Sequence, residues 1–137
     1  MKTAIELNWL DQLSFEAQID QYKITIDALP ENGGQEKGPR PKPLMMVALA
    51  GCTAMDVVGI LKKMHVEVEA FHVTVEGETR DEFPKDFLSM HVIYHFKGKE
   101  LPLEKLEKAV DLSQNKYCGA TVTLARSIPI THEIRIE

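Results

Sequence analysis

A chain of 137 residues, 44% of them hydrophobic and 27% charged, has one domain's length and enough apolar material for a core. Its formal net charge of −5 argues against general nucleic-acid binding, which wants a basic face. Met1-Lys2-Thr3 leads into mixed residues rather than an apolar leader, so a cytoplasmic location is expected, where two cysteines read as free, catalytic or redox-active thiols.

The opening residues alternate. Residues 3–10 set Ile5, Leu7 and Trp9 against Ala4, Glu6 and Asn8, the pattern of a half-buried strand. Residues 13–20 and 22–29 repeat it, so segment 1–29 is expected to form a three-stranded antiparallel meander. Residues 30–42 read as a flexible polar loop ending in Gly38-Pro39-Arg40-Pro41-Lys42. The alternating prolines forbid a helix upstream, whereas Pro43 suits a first helical turn.

Residues 43–65 predict the central helix. They are helix formers, apolar on almost every face until Lys62, the mark of a helix buried at a domain's centre. At ~31 Å such a helix is also long enough for a bilayer. Asp56 inside the run, with Lys62, Lys63 and His65 closing it, argues against a span.

The remainder, 66–137, alternates between strand and helix signals. Residues 66–80 predict a long strand, with a phase slip at Phe71 that suggests a bulge, and 87–97 a strand pairing with it. Residues 102–114 predict an amphipathic helix with Leu103, Leu106 and Val110 inward and Glu104, Lys105, Glu107 and Lys108 outward. A short helix opening at Cys118 and a closing strand over 128–137 follow, Pro129 suiting an edge or a strand start. The order βββ–α–ββ–αα–β gives a single α+β domain over 1–137, with antiparallel sheets around one long helix. Two nearly all-apolar elements are much to bury in a 15.5 kDa chain, so an obligate homodimer sharing the central helix is expected.

Cys52 falls in mid-helix and Cys118 at a helix start. A helix start, with Lys116 beside it, is expected to lower the Cys118 pKa. Cys52, deep in apolar surroundings, needs a nearby cation to become nucleophilic. Arg40 is the candidate, because residues 1–39 contain no arginine. Two buried core thiols remain the plain alternative.

These residues carry a resemblance. The stretch GPRPKPLMMVALAGCTAMDVVGILKKMHVEVEAFHVTVEGE resembles the OsmC/Ohr family, in which a GPSPxEL-type turn leads into a helix bearing GGCT or ASC. The tail NKYCGATVTLARSIPITHEIRIE resembles the family's second-cysteine segment and closing strand. The resemblance covers residues 36–137 closely and the opening meander loosely. It implies an intertwined homodimer and a thiol-dependent peroxidase acting on organic hydroperoxides; no cofactor is expected, and two cysteines without CxxC spacing make a poor zinc site, so no metal is expected either. By position, Cys52 would be the peroxidatic cysteine and Cys118 the resolving one, their disulfide being reset by a dithiol reductant. Neither a nucleic acid nor a membrane is an expected partner. The chain departs from the pattern at two points: Pro43 stands where the family has glutamate, and Arg40 substitutes for an earlier activating arginine. Those departures motivate an alternative, a non-catalytic small-ligand-binding or redox-sensing dimer.

Other polar residues invite plainer readings. His65, His72, His91, His95 and His132 lack helical metal spacing and are expected as surface or satisfied histidines. Asp56 shares a helix face with Cys52 and reads as a structural salt-bridge partner. Met45, Met46, Met55 and Met64 read as core gap-fillers. Ser113-x-x-Lys116 is assigned to helix termination.

Overall fold

In the computed structural model, which describes residues 1–137, the alternation at the start of the chain becomes an antiparallel meander of β1 (Glu6–Asp11), β2 (Ser14–Ile19) and β3 (Tyr22–Ile26). Trp9 pairs with Phe15 and Phe15 with Ile26, and the register shifts between Trp9 and Asp11. The turns use left-handed residues: Gln12 has φ 49° and Asp20 has φ 53°, which Asp tolerates better than most. The chain divides into two compact units, Met1–Met45 and Met46–Glu137, and this meander belongs to the first.

The loop expected to be flexible is fastened to the end of β3. Buried Asp27 accepts from the backbone N–H groups of Ala28 at 2.7 Å, Lys37 at 3.1 Å and Gln35 at 3.3 Å. Its own N–H donates to the Pro39 carbonyl at 3.1 Å. Gly38 lies against the β3 backbone, where a Cβ would meet the Thr25 carbonyl oxygen at 2.0 Å, so only glycine fits there. Burial pushes the Asp27 carboxyl up. The N–H donors of Ala28, Lys37 and Gln35, with the Lys37 charge, outweigh it and leave the pKa below the ordinary value.

The central helix, α1 (Pro43–Lys63), ends two residues before its expected limit. It stops because His65 turns left-handed, φ 59°. Its N–H donates to Lys62 O and that of Val66 to Leu61 O, a Schellman closure with histidine where glycine is usual. The helix is long and apolar enough to cross a membrane by length and composition. Only one stripe is buried, however: Leu49, Thr53, Val57 and Leu61, at successive i, i+4 positions. Val47, Met55 and Val58 are exposed, Met55 by 79%. Of the four methionines expected in the core, Met46 and Met64 pack against it, whereas Met45 and Met55 face outward. An apolar sequence on all faces thus does not translate into burial on all faces within one chain.

The second unit packs that stripe on a three-stranded sheet and two helices. β4 (Ala70–Thr79) runs antiparallel to β5 (Phe87–Lys97), and β6 (Ile130–Ile136) runs parallel to β5. The strand expected over 66–80 starts at Ala70, so Val66 and Val68 lie outside it. Phe71, Val73 and Val75 alternate without interruption, and the register shift lies at Glu78/Thr79 rather than Phe71. Met90, Val92, Tyr94 and Phe96 of β5 form the inward face, meeting Leu49, Val57 and Leu61 of α1 and Leu106, Ala109 and Val110 of α2 (Leu103–Leu112). Each such aliphatic residue contributes ~1.5–3 kcal/mol by leaving water. A π turn over Ser113–Tyr117 then joins α2 to α3 (Gly119–Ala125). The histidines of the opposite sheet face are partnered: His91 bonds Thr131 and Glu133, and His95 bonds Thr74 and Glu137.

Candidate functional site

Two elements bring the thiols together. Cys52 sits on α1 one residue before the buried Thr53, so its side chain is half-buried beside the core stripe. Cys118 follows the π turn, whose last bond runs from the Cys118 N–H to Ser113 O at 2.8 Å. That wide turn sets Cys118 as the N-cap of α3, with Thr121 N–H donating to its sulfur at 3.4 Å. The Cys118 side chain is 0% exposed. Cys52 Sγ, Cys118 Sγ and an Asp56 carboxylate oxygen all lie within 4.8 Å of one another, and both thiols are free.

The electrostatics of Cys118 overturn the expectation of a lowered pKa. Burial pushes the Cys118 thiol up, contact with Cys52 adds to the rise, and the bonds to Thr121 do not offset it. Lys116 is exposed and turned over the Tyr117 ring at 5.1 Å, so it does not serve Cys118 as expected. Desolvation wins here over a seven-residue helix start. The Thr121 hydroxyl is buried without a well-formed partner. Its prospective acceptor is the Cys118 sulfur, which becomes a good one only as thiolate.

Beside the thiols runs a polar chain absent from the sequence reading. Gln114 Nε2 donates to Tyr94 Oη at 2.6 Å, and Tyr94 Oη meets Thr53 Oγ1 at 2.6 Å. Thr53 Oγ1 meets Ser113 Oγ at 2.7 Å, and Ser113 Oγ donates to Asp56 Oδ2 at 3.0 Å. The direction of every proton follows. A carboxylate only accepts, so the single Ser113 proton goes to Asp56. Ser113 must then accept from Thr53, Thr53 from Tyr94, and Tyr94 from Gln114. Burial pushes the Tyr94 phenol up, keeping its proton in place to donate. Asp56, expected as a salt-bridge partner, is held instead by a hydroxyl. Ser113, expected only to end a helix, is the link that holds it.

The signal that could have found this chain is the polar residue at an apolar position. Thr53 is on the buried stripe of α1 and Tyr94 on the inward face of β5, and buried polar groups are paired. Of the residues nominated from the sequence, Cys52 and Cys118 meet, whereas Arg40 is exposed in the other compact unit. Cys52, Cys118 and Asp56 offer two soft donors and one hard one. A structural zinc centre takes four ligands, no further His, Cys, Asp or Glu joins the group, and Asp56 is already engaged by Ser113. The donor set is one ligand short of a closed structural zinc centre.

Residues 34–133 match the family model described as OsmC-like protein. The chain is 31% identical over 131 residues to Protein YhfA of Escherichia coli strain K12, with 95% of each chain covered. Its fold is similar to that of a hypothetical protein from Aquifex aeolicus VF5, with TM-score 0.83, 29% identity, and 100% of this chain and 99% of that one covered. It is likewise similar to an OsmC-like protein from Mycoplasma pneumoniae, with TM-score 0.83, 17% identity, and 99% and 97% covered. The mixed α+β architecture of two small sheets and three helices is shared with these structures, and the chain belongs to the OsmC-like protein family.

Proposed function

We propose that the protein is a thiol-dependent peroxidase that reduces organic hydroperoxides to alcohols. One observation carries this reading: two free thiols from distant parts of the chain lie within 4.8 Å of one another in a largely apolar core. The half-buried Cys52 is the sulfur a substrate can reach, and the fully buried Cys118 is suited to a partner already inside the protein. The Cys52 thiolate attacks the distal peroxide oxygen, the O–O bond breaks, and the alkoxide leaves as alcohol after taking a proton. Cys118 then displaces hydroxide from the sulfenic acid, and a dithiol resets the disulfide by exchange. Arg40 is the proposed cation for Cys52, replacing the family's earlier arginine.

The working unit is proposed to be a cytoplasmic homodimer in which both compact units form one domain. Apolar surface left open on the single chain supports a dimer: Trp9 is 69% exposed on β1, and Val47, Met55 and Val58 are open on α1. Such surface usually marks an interface. The resemblance to the OsmC/Ohr family supplies the substrate class.

Reduced protein mixed with cumene hydroperoxide should consume peroxide and convert two thiols to one disulfide. Cys52→Ser should abolish consumption, and Cys118→Ser should permit a single turnover and leave an over-oxidisable sulfur. Unchanged consumption in Cys52→Ser ends the reading. Pro43 in place of the family glutamate favours a second reading, a redox sensor in which the same thiols are oxidised without turnover. Stoichiometric oxidation with no multiple turnover under excess dithiol would select it.

A further inference from the structure

Disulfide closure asks Cys118 to give up a proton in a place that disfavours its thiolate. The thiol is 0% exposed, so bulk water does not take its proton directly. The titratable groups around the cluster are Cys52 and Lys63 on α1, Tyr94 on β5, and Tyr117 on the π turn. Lys63 and Tyr117 line the outer groove beside Asp56. Cys52 carries the electrophilic sulfur in this step, and Tyr94 already donates its proton to Thr53. The remaining group able to take a proton is the Asp56 carboxylate, within 4.8 Å of both sulfurs, a gap a single bridging water spans.

We propose that Asp56 is the proton acceptor for Cys118 in the step that closes the Cys52–Cys118 disulfide. The inference rests on the two thiols forming a disulfide, as in the function proposed above, and not on the identity of the oxidant. In the peroxidase cycle, Cys118 S–H gives its proton to Asp56 while its sulfur attacks the Cys52 sulfenic sulfur. The S–S bond forms, the S–O bond breaks, and the departing hydroxide takes the proton from Asp56 as water. Cys118 sulfur is oxidised and Cys52 sulfur is reduced by the same amount.

The polar chain explains how a carboxylate is kept beside two thiols. Gln114, Tyr94, Thr53 and Ser113 pass their protons in one direction, ending on Asp56 Oδ2. That arrangement fixes the carboxylate group and leaves its other oxygen free of Ser113. Ser113 also gives its carbonyl to the Cys118 N–H, so one residue sets the position of both the acid and the thiol. In this scheme Ser113 is a positioning residue, and Thr121 receives the nascent thiolate through its N–H at 3.4 Å.

The test separates closure from peroxide chemistry. One equivalent of an aromatic disulfide reagent, 5,5′-dithiobis(2-nitrobenzoate), labels the reachable Cys52 and releases one nitrothiolate. Attack by Cys118 on the mixed disulfide releases the second, and its nitrothiolate needs no proton to leave. In the wild type the second phase should be nearly flat between about pH 6 and 8, as expected with an internal base. Asp56→Asn keeps an oxygen to accept from Ser113 and should slow that phase at least ~10-fold at neutral pH. Its rate should then climb ~10-fold per pH unit, following the Cys118 thiolate. Ser113→Ala keeps the carboxylate but loses its hydroxyl partner, so it should slow the phase while preserving a flat profile, and Asp56→Glu should restore the flat profile lost in Asp56→Asn. An unchanged or faster second phase in Asp56→Asn overturns the proposal, since removing a mere negative neighbour would favour the thiolate. A wild type with no second release overturns both this and the disulfide. A normal second phase in a wild type that ignores cumene hydroperoxide overturns the peroxidase reading alone.

Discussion

Removing the Tyr94 hydroxyl tests whether the polar chain in the core is a net source of stability. Tyr94 is 0% exposed, and its oxygen accepts from Gln114 and bonds Thr53, each at 2.6 Å. Tyr94→Phe keeps the ring against the core, so no cavity larger than one oxygen opens. Two net hydrogen bonds are lost, at ~0.5–1.5 kcal/mol each, and the buried Gln114 amide is left without an acceptor, at ~1–3 kcal/mol. Some of these losses overlap, so the expected destabilisation is about 2–4 kcal/mol. For a chain of this size that corresponds to a fall in Tm of roughly 6–16 °C. Urea unfolding of the reduced protein, at matched protein concentration because the stability of the proposed dimer would depend on it, should show a lower midpoint at unchanged slope. A double-mutant cycle with Thr53→Val should return a coupling of ~1 kcal/mol or more. A change below ~0.5 kcal/mol would mean the hydroxyl finds water or another partner, and the forced proton order of the chain would fail with it. Because Thr53 and Ser113 still donate toward Asp56 in this variant, closure of the disulfide should suffer less than in Asp56→Asn.

The remaining predictions concern the first unit and the end of α1. The folded Asp27 carboxyl has a pKa below that of the unfolded chain. Its contribution is therefore present above about pH 4 and lost as pH falls through the folded value. Hydrogen-exchange protection of the Gln35 and Lys37 amides should drop on acidification in the wild type, and be low at every pH in Asp27→Ala; high protection in that variant would refute the staple. His65→Gly relieves a left-handed residue at the Schellman closure. It should raise stability by up to ~1 kcal/mol, part of the gain being returned as entropy to the unfolded chain. A loss of stability would show that the His65 side chain contributes more than its strained backbone costs.

What could be read from the sequence is what periodicity encodes. The strand at Phe87–Lys97 has the limits its residues suggest, because alternating burial on one face leaves little freedom of register. The element order and the α+β class follow from the same signal. The errors have physical causes. Val66 and Val68 alternate like strand residues but serve as the exit from α1, where the turn at His65 takes priority. Asp27 reads as an ordinary strand-end acid, yet three backbone donors from the following loop gather on it, and periodicity carries no trace of a bond made eight or ten residues away. The parallel pairing of β6 with β5 likewise depends on a crossover through α2 and α3 that no local pattern specifies.

The pairing of the thiols was legible through the family resemblance alone, since spacing and periodicity give only two separate segments. What joins them is the π turn over Ser113–Tyr117, one residue wider per turn than an α-helix and of a kind often found at functional sites. Had α2 continued with regular geometry, Ser113 would not have presented its carbonyl to the Cys118 N–H. The same widening turns Ser113 and Gln114 inward, where both are buried, and so completes the chain that fixes Asp56. The sequence reading assigned Cys118 its chemistry from a helix start and a neighbouring lysine, two local charges. In the folded chain, burial outweighs both. A sulfur so placed gains reactivity from a proton acceptor rather than from a cation, which is why the proposed closure of the pair is assigned to the acid on α1 rather than to Lys116.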